Sequence, residues 1–140
     1  MDITYTHTIS FADYSKLRAS AGWPQICAEQ AEAGLKNSSF VIVAQDGAEP
    51  VGMVRLVADG GYIVYVADVL VLPKYQRKGI GTEMMNRLVT YTKENMKSRY
   101  QIHFVLMSVH GKEQFYEHFG FFKRPDGPIG HGMTQWLSKQ

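Results

Sequence analysis

The sequence predicts an α+β fold with a mixed, mostly antiparallel central sheet that is flanked by helices. Apolar runs rich in β-branched residues alternate with turn signals between residues 40 and 72. An amphipathic stretch follows at residues 79–97, and a further apolar run lies at residues 102–107. A strand, a helix of that length and a second strand imply a right-handed crossover. The last strand should therefore lie parallel to the strand that ends at Leu72.

The first 35 residues predict a short strand and two helices. Ile3 to Thr8 alternates in the manner of a strand, and the segment from Ser10 to about Ala19 has helical spacing, with Ser10 as its cap. The run Gly22-Trp23-Pro24 interrupts this spacing. Because proline suits the first turn of a helix, we expect a second helix from Pro24 to about Leu35.

The middle of the chain predicts an antiparallel meander of three strands. The first two are Phe40–Ala44 and Val51–Val57, and Asp59-Gly60-Gly61 is a strong hairpin signal before the third. That third strand, Tyr62–Leu72, is nearly all apolar, as expected for a strand covered on both faces. Its one charged residue is Asp68.

The end of the chain predicts a short helix and a tail. The helix should run from about Lys112 to His118 and stop before Gly120. The tail from Phe121 to Leu137 contains a loop rich in glycine and proline, and we expect it to supply one or two edge strands around that loop.

The composition indicates one domain over residues 1–140. The chain is 45% hydrophobic and 20% charged with a formal net charge of +2, which gives no support to a nucleic-acid or membrane role. The start of the chain does not resemble a signal peptide, and the single cysteine, Cys27, fits a reducing compartment, so we expect a cytoplasmic protein. The five histidines show no metal-ligand spacing, so no metal is expected.

The turn after the third strand is the most informative segment. It reads QRKGIGT from Gln76 to Thr82, and the long helix begins inside it. The first amides of a helix lack internal partners and lie at the positive end of its dipole, and glycine lets a ligand approach that backbone closely. Arg77 and Lys78 add positive charge, and Thr82 adds a hydroxyl. This turn therefore suits a phosphate or a diphosphate.

Two common phosphate motifs do not fit the turn. A P-loop requires Lys and then Ser or Thr after its second glycine, whereas Thr82 and Glu83 follow Gly81. A dinucleotide fingerprint requires a third glycine where this chain has Met84, and its strand should open a βαβ series.

Gln-x-x-Gly-x-Gly at this place resembles the acyl-CoA motif of the GNAT superfamily of N-acetyltransferases, with Gln76, Gly79 and Gly81 at its defined positions. The stretch FYEHFGF, which begins at Phe115, is similar to the FY-x-x-x-GF signature late in that family. The order of elements from residue 3 to residue 137 also agrees, so the resemblance covers nearly the whole chain.

The resemblance implies acetyl-CoA as co-substrate. It places the coenzyme's diphosphate on the amides of the turn and its pantetheine arm along the backbone of the preceding strand, where a parallel strand pair splays apart. The implied cofactor-binding residues are Val69, Leu70, Val71, Gln76, Arg77, Lys78, Gly79, Ile80, Gly81 and Thr82. Lys74 is either a further phosphate contact or a solvated surface lysine.

The resemblance also implies direct attack of an amine on the thioester. Tyr116, in the FY signature, would then be the general acid to the sulfur, the alternative being that it packs beside Phe115 and Phe119. The candidate base is Asp68, because a carboxylate in an apolar strand is costly unless it is paired or serves chemistry. Its alternative is a structural role with an arginine such as Arg55. Tyr65 is a weaker candidate, and water alone is a third option.

The acceptor pocket of relatives is built from the first helices and the late strands. That placement points to Tyr14, Trp23, His131 and Met133, a set that suits a small primary amine. A protein lysine or N-terminus is the alternative acceptor, and a CoA-binding regulator without catalysis is the alternative class. The resemblance further implies a homodimer.

Overall fold

The computed structural model describes residues 1–139 and contains, from residue 3 to residue 117, the predicted strands and helices in the predicted order. In chain order they are β1 (Ile3–Thr6), α1 (Phe11–Ser20), α2 (Ala28–Lys36), β2 (Phe40–Asp46), β3 (Glu49–Ala58), β4 (Ile63–Val71), a 3₁₀ turn (Pro73–Tyr75), α3 (Ile80–Asn95), β5 (His103–Leu106) and α4 (Glu113–Glu117). The chain separates into two compact units, Met1–Met107 and the part from Ser108 onward. The single domain stays a prediction.

The first unit is built on one five-stranded sheet with the order β1-β2-β3-β4-β5. The first four strands pair antiparallel, and β5 pairs parallel with β4 from Ile63 opposite His103 to Val66 opposite Leu106. The predicted parallel pairing of the strands on either side of α3 is therefore confirmed, and so is the mixed α+β fold.

A large part of the core lies between the sheet and α3, and α1 and α2 also bury apolar side chains. Fully buried side chains of β2 and β3 meet a buried stripe on α3, and the stripe comprises Ile80, Met84, Met85 and Leu88. Burying one such side chain contributes about 1.5–3 kcal/mol. Gly52 lets β3 lie close to β4 and to α3, since a Cβ there would lie 3.0 Å from the Leu70 carbonyl oxygen and 3.3 Å from Met84 Cε. Between Val64 and Val71 every β4 residue is buried or half-buried.

The structure corrects the start of the second helix. α1 is capped as predicted, because Ser10 Oγ accepts from the Asp13 amide at 3.1 Å. α2, however, begins at Ala28 with Cys27 as its cap, four residues after Pro24. The Pro24 carbonyl oxygen accepts from Nη2 of Arg18 at 2.7 Å, which holds that proline in the connection between the helices.

The structure also corrects the tail. Over the described part of the tail there is no strand, and an isolated bridge joins Asp126 to Ile129. Proline has no amide hydrogen and glycine weakens a strand, so the segment from Arg124 to Gly132 does not sustain a ladder. In the helices of the described residues, no stretch is long and apolar enough to cross a membrane.

Candidate active site

A β-bulge in β4 marks the start of the candidate site. Met53 pairs with Leu70 and Arg55 pairs with Ala67, so two steps along β3 face three steps along β4. The extra residue falls beside Asp68, whose φ is 53°. Positive φ is uncommon outside glycine, although aspartate adopts it more readily than most residues. A bulge of this kind bends its strand and redirects the residues after it.

Beyond the bulge, β4 outlasts its parallel partner. In the described chain β5 pairs with β4 from Ile63 to Val66, whereas β4 continues to Val71. The predicted pantetheine residues Val69, Leu70 and Val71 all lie in this continuation. On the other side β3 is still present, and Leu70 there pairs with Met53. The edge that β5 leaves is one to which a peptide-like arm can add through main-chain hydrogen bonds.

The turn after β4 presents helix amides as predicted. Gly79 is the N-cap of α3 with φ 86°, and no side chain of the described residues caps that helix end. The Glu83 amide donates to the Gly79 carbonyl at 3.0 Å. The amides of Ile80, Gly81 and Thr82 come before it and therefore have no partner within the helix. Together with the helix dipole, these free amides favour negative charge at this end of the helix.

The side chains of the turn divide into two kinds. Arg77 and Lys78 are exposed beside the amides, and Arg77 itself has φ 61°. Gln76 instead turns back, and its Nε2 donates to the Val71 carbonyl oxygen at 2.9 Å. This bond ties the turn to the end of β4, so the structure gives Gln76 a role in fixing the turn. Its contact with the coenzyme stays a prediction.

Asp68 lies in a network of three partners. Tyr14 donates its hydroxyl to Asp68 Oδ2 at 2.5 Å, and Arg55 donates Nε to the same oxygen at 2.6 Å. Nη1 of Arg18 lies 3.6 Å from Oδ1, and the Asp68 side chain is 9% exposed. The arginine partner that the sequence suggested is thus present. The role of Asp68 as a base stays a prediction, and an incoming amine would compete with these donors.

Two tyrosines near Asp68 are held in their neutral form. Burial raises the pKa of Tyr14, and its hydrogen bond to Asp68 raises it further. Burial likewise raises the pKa of Tyr65, and the charge of Asp68 adds to the effect. A tyrosine that keeps its proton at neutral pH is a poor base, which weakens the case for Tyr65.

Tyr116 lies in the second unit, on the short helix α4. It is buried, and that burial raises its pKa to about 12. The rings of Phe115 and Phe121 meet it edge-on, with centroids 5.1 and 6.3 Å away. The packing beside Phe115 that the sequence offered as part of the alternative is therefore present, whereas the ring of Phe119 meets that of Phe115. The raised pKa also keeps a proton on the phenol, as a general acid requires. The role of Tyr116 as general acid stays a prediction.

The predicted acceptor residues fall into two groups. Tyr14 and Trp23 both lie beside Arg18, with its Cζ 5.8 and 5.4 Å from their ring centroids. His131 and Met133 are exposed in the tail of the second unit. Arg18 was not among the predicted site residues. Its signal in the sequence is a basic residue four positions after Tyr14, on the same face of α1.

Two further features bear on ligands. Among residues 1–139 there is no group of three or more His, Cys, Asp or Glu side chains suited to a metal ion. An open groove of about 500 Å³ lies between the sheet and α3, lined by residues that include Phe40, Arg87 and Tyr91. None of the predicted site residues lines this groove.

Comparison with known proteins decides the family. A model of the acetyltransferase (GNAT) family matches residues 5–121. The chain belongs to this family. An uncharacterized N-acetyltransferase, ycf52, of Porphyra purpurea is 26% identical to it over 132 residues, which are 91% of this chain and 74% of that protein. The histone acetyltransferase TAP1 of Glycine max is 29% identical over 129 residues, 84% of this chain and 54% of that protein.

A solved structure gives the same assignment. A probable acetyltransferase from meticillin-resistant Staphylococcus aureus superposes with a TM-score of 0.87 at 28% identity, covering 97% of this chain and 100% of that one. The GNAT resemblance is therefore confirmed. Members of the family use acetyl-CoA as co-substrate, and the protein is an acetyl-CoA-dependent acyltransferase.

Proposed function

We propose that the protein moves an acetyl group from acetyl-CoA to the primary amine of a small molecule by direct attack. The observation on which this rests is the continuity of two features. The part of β4 that outlasts β5 leads, within one short turn, to the amides that open α3. A ligand in which a diphosphate is followed by a peptide-like arm matches that order.

The diphosphate would bind at the turn. The amides of Ile80, Gly81 and Thr82 would donate to its oxygens, and Gly79 leaves the approach clear, since a Cβ there would meet nothing within 4 Å. The exposed Arg77 and Lys78 would add charge-assisted contacts. The pantetheine arm would then follow the backbone of Val69, Leu70 and Val71.

The chemistry needs one bond formed and one broken. The neutral amine nitrogen attacks the thioester carbon, the carbon–sulfur bond breaks, the thiolate takes a proton, and the amine loses one. Tyr116 would supply the proton to sulfur. Asp68 or water would take the proton from the amine, and the occupied oxygens of Asp68 favour water.

A small amine is the proposed acceptor because of the connection between α1 and α2. There Trp23 is half-buried beside Arg18, which gives an apolar wall of the kind that small amines with an aromatic or aliphatic body contact. The Glycine max relative, a histone acetyltransferase by name, supports the other acceptor class, a protein lysine.

A thiol-release assay tests the proposal. The protein would be mixed with acetyl-CoA and, separately, with arylalkylamines, aliphatic diamines, lysine-containing peptides and peptides with free N-termini. Release that rises above background with a small amine supports the proposal. Release with peptides alone would move the acceptor to proteins. Coenzyme binding by calorimetry without release from any amine would indicate a regulator.

We also propose that the protein is a cytoplasmic homodimer. The tail supports an interface, because Met133, Trp136 and Leu137 are 91%, 87% and 87% exposed and large apolar side chains so exposed are commonly covered by a partner. The free, exposed Cys27 fits a reducing compartment. Light scattering after a sizing column tests the dimer. A monomer mass at a protein concentration of ~50 µM would refute it. Cell fractionation tests the location.

A further inference from the structure

We propose that Tyr14, Arg18 and Arg55 are positioning residues that act through the Asp68 carboxylate. By holding Asp68 they hold the bulge of β4, and the bulge directs the strand edge on which acetyl-CoA is proposed to lie. This inference rests on the proposed function and adds to it a set of residues for which no contact with substrate is required.

The Asp68 carboxylate is already occupied by donors of this protein. Oδ2 accepts from both Tyr14 and Arg55, and Oδ1 faces Arg18. The partners are themselves enclosed, since Tyr14 is 2% and Arg18 is 7% exposed. A group held on both oxygens in so enclosed a place is suited to fix a conformation.

The conformation that these donors fix is an uncommon one for aspartate. Asp68 has φ 53°, and the β3–β4 register slips by one residue there. A non-glycine residue in the left-handed region persists where the surroundings determine it. The three donors supply that determination, because they come from outside β4.

The network joins three elements, α1, β3 and β4, and the two connections that flank α2. Tyr14 and Arg18 come from α1, and Arg55 comes from β3. Arg18 also donates to the Pro24 carbonyl, before α2. Nη1 of Arg55 donates to Ser38 Oγ at 3.1 Å, after α2. Asp68, the residue before Val69, is thus tied through its carboxylate to the helices expected on the acceptor side.

The test compares Tyr14→Phe with Tyr91→Phe. The first variant removes one hydroxyl from the network and is expected to fold. The control removes a hydroxyl that donates to the Ser39 carbonyl at 3.3 Å, away from Asp68. Tyr14→Phe is expected to weaken acetyl-CoA binding and raise its KM about fivefold, with kcat changed less than about twofold. The control should leave both constants unchanged.

Asp68→Asn supplies the second arm, because asparagine also tolerates a positive φ. The inference predicts a raised KM for acetyl-CoA, an acidic limb of the kcat profile that stays where it is, and little further loss when Tyr14→Phe is added. A fall of kcat with disappearance of the acidic limb would make Asp68 the base and overturn the inference. Unchanged coenzyme affinity in Tyr14→Phe would also overturn it.

Direct calorimetry separates this inference from the proposed function, since it needs no acceptor amine. Wild-type protein that fails to bind acetyl-CoA would refute the proposed function itself. Wild-type and Tyr14→Phe proteins that bind it equally well would refute the positioning role alone.

Discussion

The two halves of β4 follow different rules. From Val64 to Val66 the strand has β3 on one side and β5 on the other, as an interior strand should. From Ala67 to Val71 it keeps β3 but has outlasted β5. Asp68, the residue with the left-handed backbone, is the second residue of the latter half. The change in pairing along β4 thus falls within two residues of a left-handed backbone.

The left-handed backbone of Asp68 costs free energy locally and is stabilised by residues distant in the chain. Left-handed backbone costs a non-glycine residue about 1–2 kcal/mol. Hydrogen bonds to charged groups contribute about 1.5–3 kcal/mol each, and Asp68 receives two of them, from Tyr14 and from Arg55. Support of that size is sufficient to keep a strained residue in place. Strain of this kind is often found at functional sites.

The largest expected effect comes from Asp68→Val, which should abolish the difference between the halves. Valine resists a positive φ, and its removal of the carboxylate leaves Arg18 and Arg55 without their anion in an enclosed place. We expect a loss of about 3–5 kcal/mol in the free energy of unfolding, as for a broken buried ion pair. Urea denaturation measures it, with Asp68→Asn as the matched variant; equal stability of valine variant and wild type would contradict the account.

Tyr116→Phe tests the acetyl transfer that the second half of β4 is expected to serve. Loss of a general acid should lower kcat about 100-fold while the KM for acetyl-CoA changes little. The matched control is Tyr100→Phe, a 40% exposed tyrosine outside the proposed site. Full turnover in Tyr116→Phe would leave the packing role alone for this residue.

Val64→Ala tests the paired half. Val64 is 6% exposed, and removal of two buried carbon groups should cost about 1–2 kcal/mol of stability. Because this half is not expected to touch the coenzyme, acetyl-CoA affinity should not change. A stability measurement paired with calorimetry checks both statements. Weakened binding at retained fold would mean that the paired half takes part in the site.

The smallest expected effect is on alkaline stability. Tyr65, in the paired half, has a folded pKa raised above its ordinary value of 10.0 by burial and by Asp68. Its contribution to stability is thus complete below pH 10 and is lost as the pH rises through the folded value. Tyr65→Phe should lose less stability than wild type between pH 8 and about pH 11. Tyr62→Phe, which alters a 62% exposed tyrosine, should behave as wild type.

Local patterns explain which features the sequence predicted. The meander, the crossover and the turn at Gly79 depend on periodicity and on residues close in the chain, and the structure has them. The Asp68 network was beyond such reasoning, because Tyr14 and Asp68 are 54 positions apart. The start of α2 was wrong for a different reason, since Arg18, six positions earlier on α1, donates to the Pro24 carbonyl and holds it in the connection.

The edge strands predicted for the tail were wrong for a local reason. Its apolar residues suggested edge strands, but glycine and proline between Arg124 and Gly132 prevent a continuous ladder in the described residues. Composition favoured one state and backbone chemistry the other. The backbone chemistry decides, because a strand requires amide donors at regular intervals.

The most direct test of the central claim is the acetyl-CoA affinity of Gly81→Asp. A carboxylate in the first turn of α3 suits the helix itself, since it lies at the positive end of the dipole, so the variant should fold. It would stand where the diphosphate is proposed to bind. The control is Asn86→Asp, which adds the same charge at an exposed position of the same helix. The account predicts by calorimetry a loss of at least about 100-fold for Gly81→Asp, or about 2.7 kcal/mol, and none for the control. Wild-type affinity in a folded Gly81→Asp protein would contradict it.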